Sequence, residues 1–504
     1  MRINVLSYLD EIAARLPNKA AFCDDTTQLT FTQLDERSRA VGSALAEAGF
    51  ASEPVVVFME KGPCAVSAFF GVVRAGCFYV PLDEEMPRHR IELIFDTLKP
   101  GVVICDVSTQ DKLPEFTGQV LHYNNLIDTP IDTPALQKIA AQQIDTDPIY
   151  VVFTSGSTGK PKGVVACHRS VIDYIETLSD VLQVSENTIF GNQAPLYVDA
   201  CLKELFPTLK FGAQTWFIPK SYFSFPMKLI AYLNEKRINT VCWVASAFTM
   251  IAALRVLNEL IPQHLHTIAF GSEVFPQKQL QAWRSACPQA RFINLYGPTE
   301  CTGMSCYYEL PTDFDAPRVP IGRPFRNTDM FLLDDDNQRI SQLGQAGEIC
   351  IRGTCVTLGY YADPERTAQA FVQNPLHSRY AELIYRSGDL GELDEQGNLL
   401  FISRRDHQIK RAGYRIELGE IESAALAIDG VSAACCLFDE ARKKLILCTV
   451  SSLARADLQA ELGAKLPPYM IPNVMHALET MPLTPNGKID RNGLKENYIH
   501  GKTA

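Results

Sequence analysis

From the N-terminus to about residue 310, short apolar runs rich in β-branched residues alternate with helical patterns, and this alternation constrains the fold more than any other feature. Residues 54–58, 102–105, 150–153, 215–218, 240–244, 267–270 and 291–294 read as strands. Between them, 65–75, 170–182, 226–236 and 277–286 read as helices. Such alternation predicts an α/β architecture with largely parallel sheets. Ligands in these folds gather beyond the carboxyl ends of the strands, where loops converge. From 319 to 391 the pattern turns glycine-rich with short strands, which predicts an all-β module. A separate unit begins near Ser403, with helices over 418–427 and 456–466 and strands over 431–437 and 445–450. The 504 residues exceed what one hydrophobic core holds, so two or more domains are expected.

Apolar residues make up 46% of the chain and charged residues 21%, as in a water-soluble globular protein. The net charge of -11 argues against a nucleic-acid partner, which demands a basic face. A nucleotide substrate needs only a local positive patch. The fifteen cysteines form no CxxC pairs, and several sit in apolar runs, so they read as reduced core residues. No signal-peptide pattern and no membrane-length apolar run stands out, and a cytoplasmic protein is expected.

Directly after the apolar run 149–153 comes Thr154-Ser155-Gly156-Ser157-Thr158-Gly159-Lys160-Pro161-Lys162-Gly163. Glycines let the backbone approach a ligand closely, while hydroxyls, freed N–H groups and the two lysines suit a polyphosphate. The spacing is not that of the P-loop nucleotidases. A flexible surface loop is the alternative.

Six further stretches follow a recognisable order. Val73-Arg74-Ala75-Gly76 leads to Tyr79-Val80-Pro81-Leu82-Asp83, and Asn192-Gln193-Ala194-Pro195 precedes Asp199. Then come Asn294-Leu295-Tyr296-Gly297-Pro298-Thr299-Glu300 and Tyr385-Arg386-Ser387-Gly388-Asp389-Leu390. Arg404-Arg405-Asp406-His407-Gln408-Ile409-Lys410 runs on to Gly413-Tyr414-Arg415-Ile416-Glu417-Leu418-Gly419-Glu420, and Pro485-Asn486-Gly487-Lys488-Ile489-Asp490-Arg491 closes the series. Together they resemble the adenylate-forming enzymes, in particular the stand-alone amino-acid adenylation domains typified by D-alanine–carrier protein ligase. The resemblance covers essentially the whole chain. It implies a large N-terminal domain of two α/β subdomains plus a β-rich module over 1–403, and a small mobile α+β C-terminal domain over 404–504.

The implied activity is attack of a carboxylate on the α-phosphorus of ATP. Both partners are anionic, so catalysis is mostly positioning and neutralisation of phosphate charge. By resemblance, residues Thr154 to Gly159 with Lys160 and Lys162 hold the β- and γ-phosphates. Glu300 and Thr154 hold Mg²⁺ through hard oxygen ligands. Tyr296 stacks on adenine and Asn294 hydrogen-bonds it, with Gly297 and Thr299 in the same loop. Asp389 accepts the ribose hydroxyls with Arg404 nearby, and Lys488 reaches the α-phosphate and the substrate carboxylate. Taken singly, Glu300 could be a helix N-terminal charge and Asp389 a turn cap. Arg404 could pair with Asp406 at the surface, and Lys488 could be a solvated turn lysine.

Asp199 bears on the substrate class. The resemblance gives it the substrate's α-ammonium, which calls for an anion that a carboxylate–CoA ligase for a fatty or aryl acid does not need. The alternative within the sequence is an i,i+4 pair with Lys203 on one helix. If Asp199 takes the ammonium, Lys203 can face an acidic side chain. The remaining implied lining is Ala200, Ala247, Ala269, Gly271, Leu295, Gly303 and Met304, small enough for alanine as well.

For the second half-reaction, the resemblance implies rotation about a hinge at Asp406, which withdraws Lys488 and brings Gly413 to line a pantetheine tunnel. Sixteen residues follow Lys488, too few for a carrier domain, so a trans-acting carrier protein bearing phosphopantetheine is expected, with a monomeric enzyme. Three positions depart from the family pattern. Ser403 replaces a hinge glycine, Val198 replaces an aromatic residue, and Gly271-Ser272-Glu273 replaces Gly-Gly-Glu.

Overall fold

A computed structural model describes residues 2–156, 160–405, 408–483, 489–499 and 501. Chain contacts divide it into two compact units. The first comprises 1–84, 98–153 and 163–405, and the second 85–97, 154–162 and 406–504.

Two sheets dominate the first unit. One has nine strands, of which Arg291–Tyr296, Thr267–Gly271, Thr240–Val244, Ile189–Asn192, Gln214–Phe217 and Ala20–Cys23 are successive parallel neighbours. Cys306–Glu309, Arg323–Pro324 and Gln28–Thr30 add antiparallel edges. The other has six, with Gln119–His122, Val102–Cys105, Pro54–Phe58, Phe78–Pro81 and Pro148–Thr154 parallel. Pro54–Phe58 reads PVVVF and every residue is buried, as expected where helices cover both faces of a parallel sheet. Helix Phe31–Glu47 starts from a capping box in which Thr30 and Gln33 satisfy each other's backbone amides. It packs closely on helix Pro63–Arg74, because a Cβ on Gly71 would lie 2.5 Å from Val41.

The β-rich part is an antiparallel sheet of Arg339–Ile340, Thr328–Leu333, Gly347–Gly353, Leu383–Leu393, Phe371–Gln373 and Leu399–Arg404. The sequence pattern predicts an all-β module here, and the structure corrects it: Pro364–Ala370 is a helix. Asp363 caps that helix through the Arg366 amide and Pro364 takes its first turn, so local capping overrides the surrounding strand pattern.

The second unit is α+β. Strands Val431–Asp439, Lys444–Ser451 and Val474–Ala477 form a sheet, with a hairpin of Gln408–Arg411 and Tyr414–Glu417. Helices Leu418–Leu426 and Arg455–Lys465 contribute Ile421, Leu458 and Leu462 to its core. All fifteen cysteines of the chain are free thiols, and fourteen are buried. Among the described residues, no helix is long and apolar enough to cross a membrane.

Candidate functional site

Strand Arg291–Tyr296 ends at Gly297, and a single turn of 3-10 helix over Thr299–Cys301 follows. Only glycine fits at 297, because a Cβ there would lie 2.2 Å from the Gly303 carbonyl oxygen. Thr302 and Gly303, at φ +55° and +87°, turn the chain back, and the Ser305 amide donates to the Tyr296 carbonyl at 2.7 Å. This loop carries the Glu300 carboxylate into the interior, where the Tyr360 hydroxyl donates to it at 2.8 Å. Glu300 thus lies in the first turn of that 3-10 helix and is fully buried.

Asp389 and Arg404 are opposite one another in register on strands Leu383–Leu393 and Leu399–Arg404. Arg404 donates to Asp389 Oδ1 at 2.5 Å, and the Tyr296 hydroxyl donates to Oδ2. Burial, then the Asp389 charge, pushes the Tyr296 phenol well above its ordinary range, so it remains a donor. Asn294 donates its amide to the Pro320 carbonyl at 2.8 Å. Tyr296, Asp389 and Arg404 thus form one buried polar group.

Strand Ile189–Asn192 leads to a 3-10 turn, Asp199–Cys201, and helix Leu202–Phe211 begins after it. Asp199 therefore precedes the helix that carries Lys203. Asp199 and Ala200 are half-buried, while Lys203 and Glu204 are buried. Asn192 donates to Glu204 at 3.2 Å, and the Lys61 ammonium donates to the carbonyls of Asn192 and Gln193 at 3.3 and 3.1 Å. Burial raises the Glu204 carboxyl to about 7, against the pull of Lys203 and Lys61, and lowers the Lys61 ammonium to about 8. Ala269, Leu295 and Met304 lie in one core with Ala200 against it, whereas Ala247 belongs to a neighbouring core. Gly271 is packed under Leu295, whose carbonyl oxygen would be 2.3 Å from an added Cβ.

In the second unit, Thr154 closes strand Pro148–Thr154, and its buried hydroxyl has no hydrogen-bond partner among the described residues. Ser155 donates to the Arg415 carbonyl at 2.8 Å, and the Gly156 amide donates to Glu420 at 3.2 Å. Glu420 also pairs with the buried Arg90. Lys160 is exposed, and the half-buried Lys162 opens strand Lys162–Cys167. Gly413 sits at φ +81° in the turn of the 408–417 hairpin. Ser157, Thr158, Gly159, Asp406 and Lys488 lie outside the described residues.

Lys61, Glu204 and Tyr360 escape the sequence reading. Each stands within an otherwise apolar or loop-like stretch that carries no motif, and only the fold turns them inward.

Residues 9–361 match the family model described as AMP-binding enzyme. The chain belongs to that family. An AMP-binding enzyme of this kind forms adenylates. Over 496 residues it is 31% identical to tyrocidine synthase 1 of Brevibacillus parabrevis, covering 97% of this chain and 44% of that one. With gramicidin S synthase 1 of Brevibacillus brevis it shares 30% over 498 residues, again covering 97% of this chain and 44% of that one. The chain thus spans less than half the length of either synthase. In fold it is similar to NpsA-ThdA, an artificially fused adenylation–PCP di-domain from Klebsiella oxytoca, with a TM-score of 0.81 at 23% identity and 95% of each chain covered.

Proposed function

We propose that this adenylate-forming enzyme activates an amino acid as its aminoacyl-AMP and passes it to the phosphopantetheine thiol of a separate carrier protein. The feature that carries this reading is Asp199, a half-buried carboxylate presented on its own short turn after strand Ile189–Asn192, with half-buried Ala200 next to it in the chain. A half-buried anion on such a turn suits a ligand with a compact cation, the α-ammonium. Similarity to tyrocidine synthase 1, gramicidin S synthase 1 and an adenylation–PCP fold supports the same direction.

In the first half-reaction the substrate carboxylate attacks the α-phosphorus of ATP and pyrophosphate leaves. The Asp389–Arg404–Tyr296 group receives the ribose, with Asn294 at the adenine. Lys488 neutralises charge on the α-phosphate and the attacking carboxylate. The buried Glu300 carboxylate is a hard oxygen donor of the type Mg²⁺ takes, and the ion would supply phosphate charge neutralisation when bound. In the second half-reaction a thiol attacks the acyl carbon and AMP leaves, with Gly413 leaving room for the pantetheine arm. If Asp199 takes the ammonium, the buried Lys203 can face an acidic side chain.

The test is loading in trans. Incubation with ATP, the amino acid and a phosphopantetheinylated carrier protein should give an acyl thioester, seen as a mass shift on the carrier. Thioester formed only on free coenzyme A would contradict the carrier assignment.

A further inference from the structure

Tyr150, in the apolar run that leads into the 154–163 loop, and Tyr174, on helix His168–Leu182, are given no role in the adenylation reading. Both are buried, 0% and 3% exposed, and no described group hydrogen-bonds either hydroxyl. Buried tyrosine hydroxyls ordinarily find a partner. Tyr123 in this chain does so with Ser67 at 2.5 Å, and Tyr360 does so with Glu300. Two orphaned phenols in one core therefore need a reason.

Their surroundings supply it. Both rings lie in the core that holds Ala269, Leu295 and Met304, with Ala200 packed against it. The phenolic end of Tyr174 is turned toward Gly303: a Cβ built on that glycine would sit 3.5 Å from both its oxygen and its Cζ. After burial, the Asp199 charge is the largest influence holding both phenols above their ordinary range. Neither hydroxyl bonds to that carboxylate. Both phenols stay protonated, so each offers an O–H that only an acceptor can satisfy. An ammonium offers donors alone. The substrate's own carboxylate is committed to the phosphorus. What remains is an acceptor on the substrate's side chain.

We infer that the hydroxyls of Tyr150 and Tyr174 hydrogen-bond the side chain of the bound amino acid, and that this side chain ends in an oxygen acceptor, a carboxylate or an amide. The inference rests on the amino-acid reading and narrows it, since small lining residues alone would suit alanine equally. A site that leaves buried donors unpaired discriminates strongly against an analogue lacking the matching group.

The experiment compares ATP–pyrophosphate exchange for both enantiomers of glutamate, glutamine, aspartate and asparagine with that for norvaline and 2-aminobutyrate, in the wild type and in Tyr174→Phe and Tyr150→Phe. One acceptor-bearing amino acid should exceed its apolar counterpart in kcat/KM by about 100-fold or more. That ratio should fall at least tenfold in each variant. An apolar counterpart used equally well, or a ratio that survives both substitutions, overturns the inference while leaving amino-acid activation intact. Exchange only with acids lacking an amine refutes the amino-acid reading itself, and this inference with it. The melting temperature of the unliganded variants gives an independent readout. It should equal or exceed that of the wild type, and a clear drop in both would show that the hydroxyls are already satisfied within the protein.

Discussion

Asp389→Asn keeps the shape of the side chain and removes its charge. In the native protein the carboxylate takes Arg404 on one oxygen at 2.5 Å and the Tyr296 hydroxyl on the other. The two charged side chains are 6% and 13% exposed. Removing one partner of a buried ion pair strands the other charge, at a cost of about 3–5 kcal/mol. The amide oxygen still accepts one hydrogen bond, so the lower end, about 3 kcal/mol, is expected. A urea titration should show this as a lower midpoint with unchanged slope in the transition that reports the first unit. Loss of charge-assisted bonds to the ribose, about 1.5–3 kcal/mol, should raise the KM for ATP roughly 10- to 100-fold. Tyr296→Phe removes only one of the two contacts, and the pair of substitutions should couple by about 1–3 kcal/mol in a double-mutant cycle. Asp389→Asn with a midpoint shift worth under about 0.5 kcal/mol and an unaltered KM for ATP would refute both the structural and the nucleotide role assigned to this cluster.

Four further outcomes are expected. Ser272 adopts φ +67°, where the related pattern has glycine, so Ser272→Gly should stabilise the protein by about 1 kcal/mol, read as a higher melting temperature. Gly297→Ala forces a Cβ to 2.2 Å from a backbone oxygen and should lower both the melting temperature and the exchange rate; native-like behaviour would contradict the loop packing. The Glu204 carboxyl is raised to about 7, so the folded state holds its proton longer than the unfolded chain does. Its contribution is fully present below the usual carboxyl range and is lost as pH rises through about 7, so the wild type should lose stability relative to Glu204→Gln across that window, on the order of 3 kcal/mol. Lys488→Ala should cripple adenylation yet spare thioester formation from preformed adenylate, and Gly413→Leu should do the reverse; equal loss of both steps in either variant would contradict the division of labour between them.

The central strands are legible in the sequence because parallel strands covered on both faces must be continuously apolar, as in 54–58, 102–105 and 240–244. Helix Gln277–Ala286 is equally readable from its 3.6-residue period, with Leu280 and Trp283 turned inward. The helix at 364–370 is not, being a short element in which an Asp–Pro start outweighs the strand pattern. For the candidate site, the family resemblance sets Arg404 near Asp389 but does not join the Tyr296 hydroxyl to them. Their meeting depends on strand register, a long-range property that no local pattern encodes. The aromatic residues Tyr150 and Tyr174 look like ordinary core positions, because a sequence does not reveal whether a buried hydroxyl finds a partner. Glu204 is hidden for the converse reason, as a charge among apolar residues whose burial only the fold decides.

The central claim is that this adenylate-forming enzyme selects an acid bearing an α-amine through Asp199. ATP–pyrophosphate exchange with amino acids of both chiralities, each beside its desamino counterpart, tests it most directly. The account predicts exchange with one amino acid, silence with its desamino counterpart, and loss of that preference in Asp199→Ala. Equal or better exchange with acids lacking the amine would contradict it and place the enzyme among the ligases that activate fatty or aryl acids.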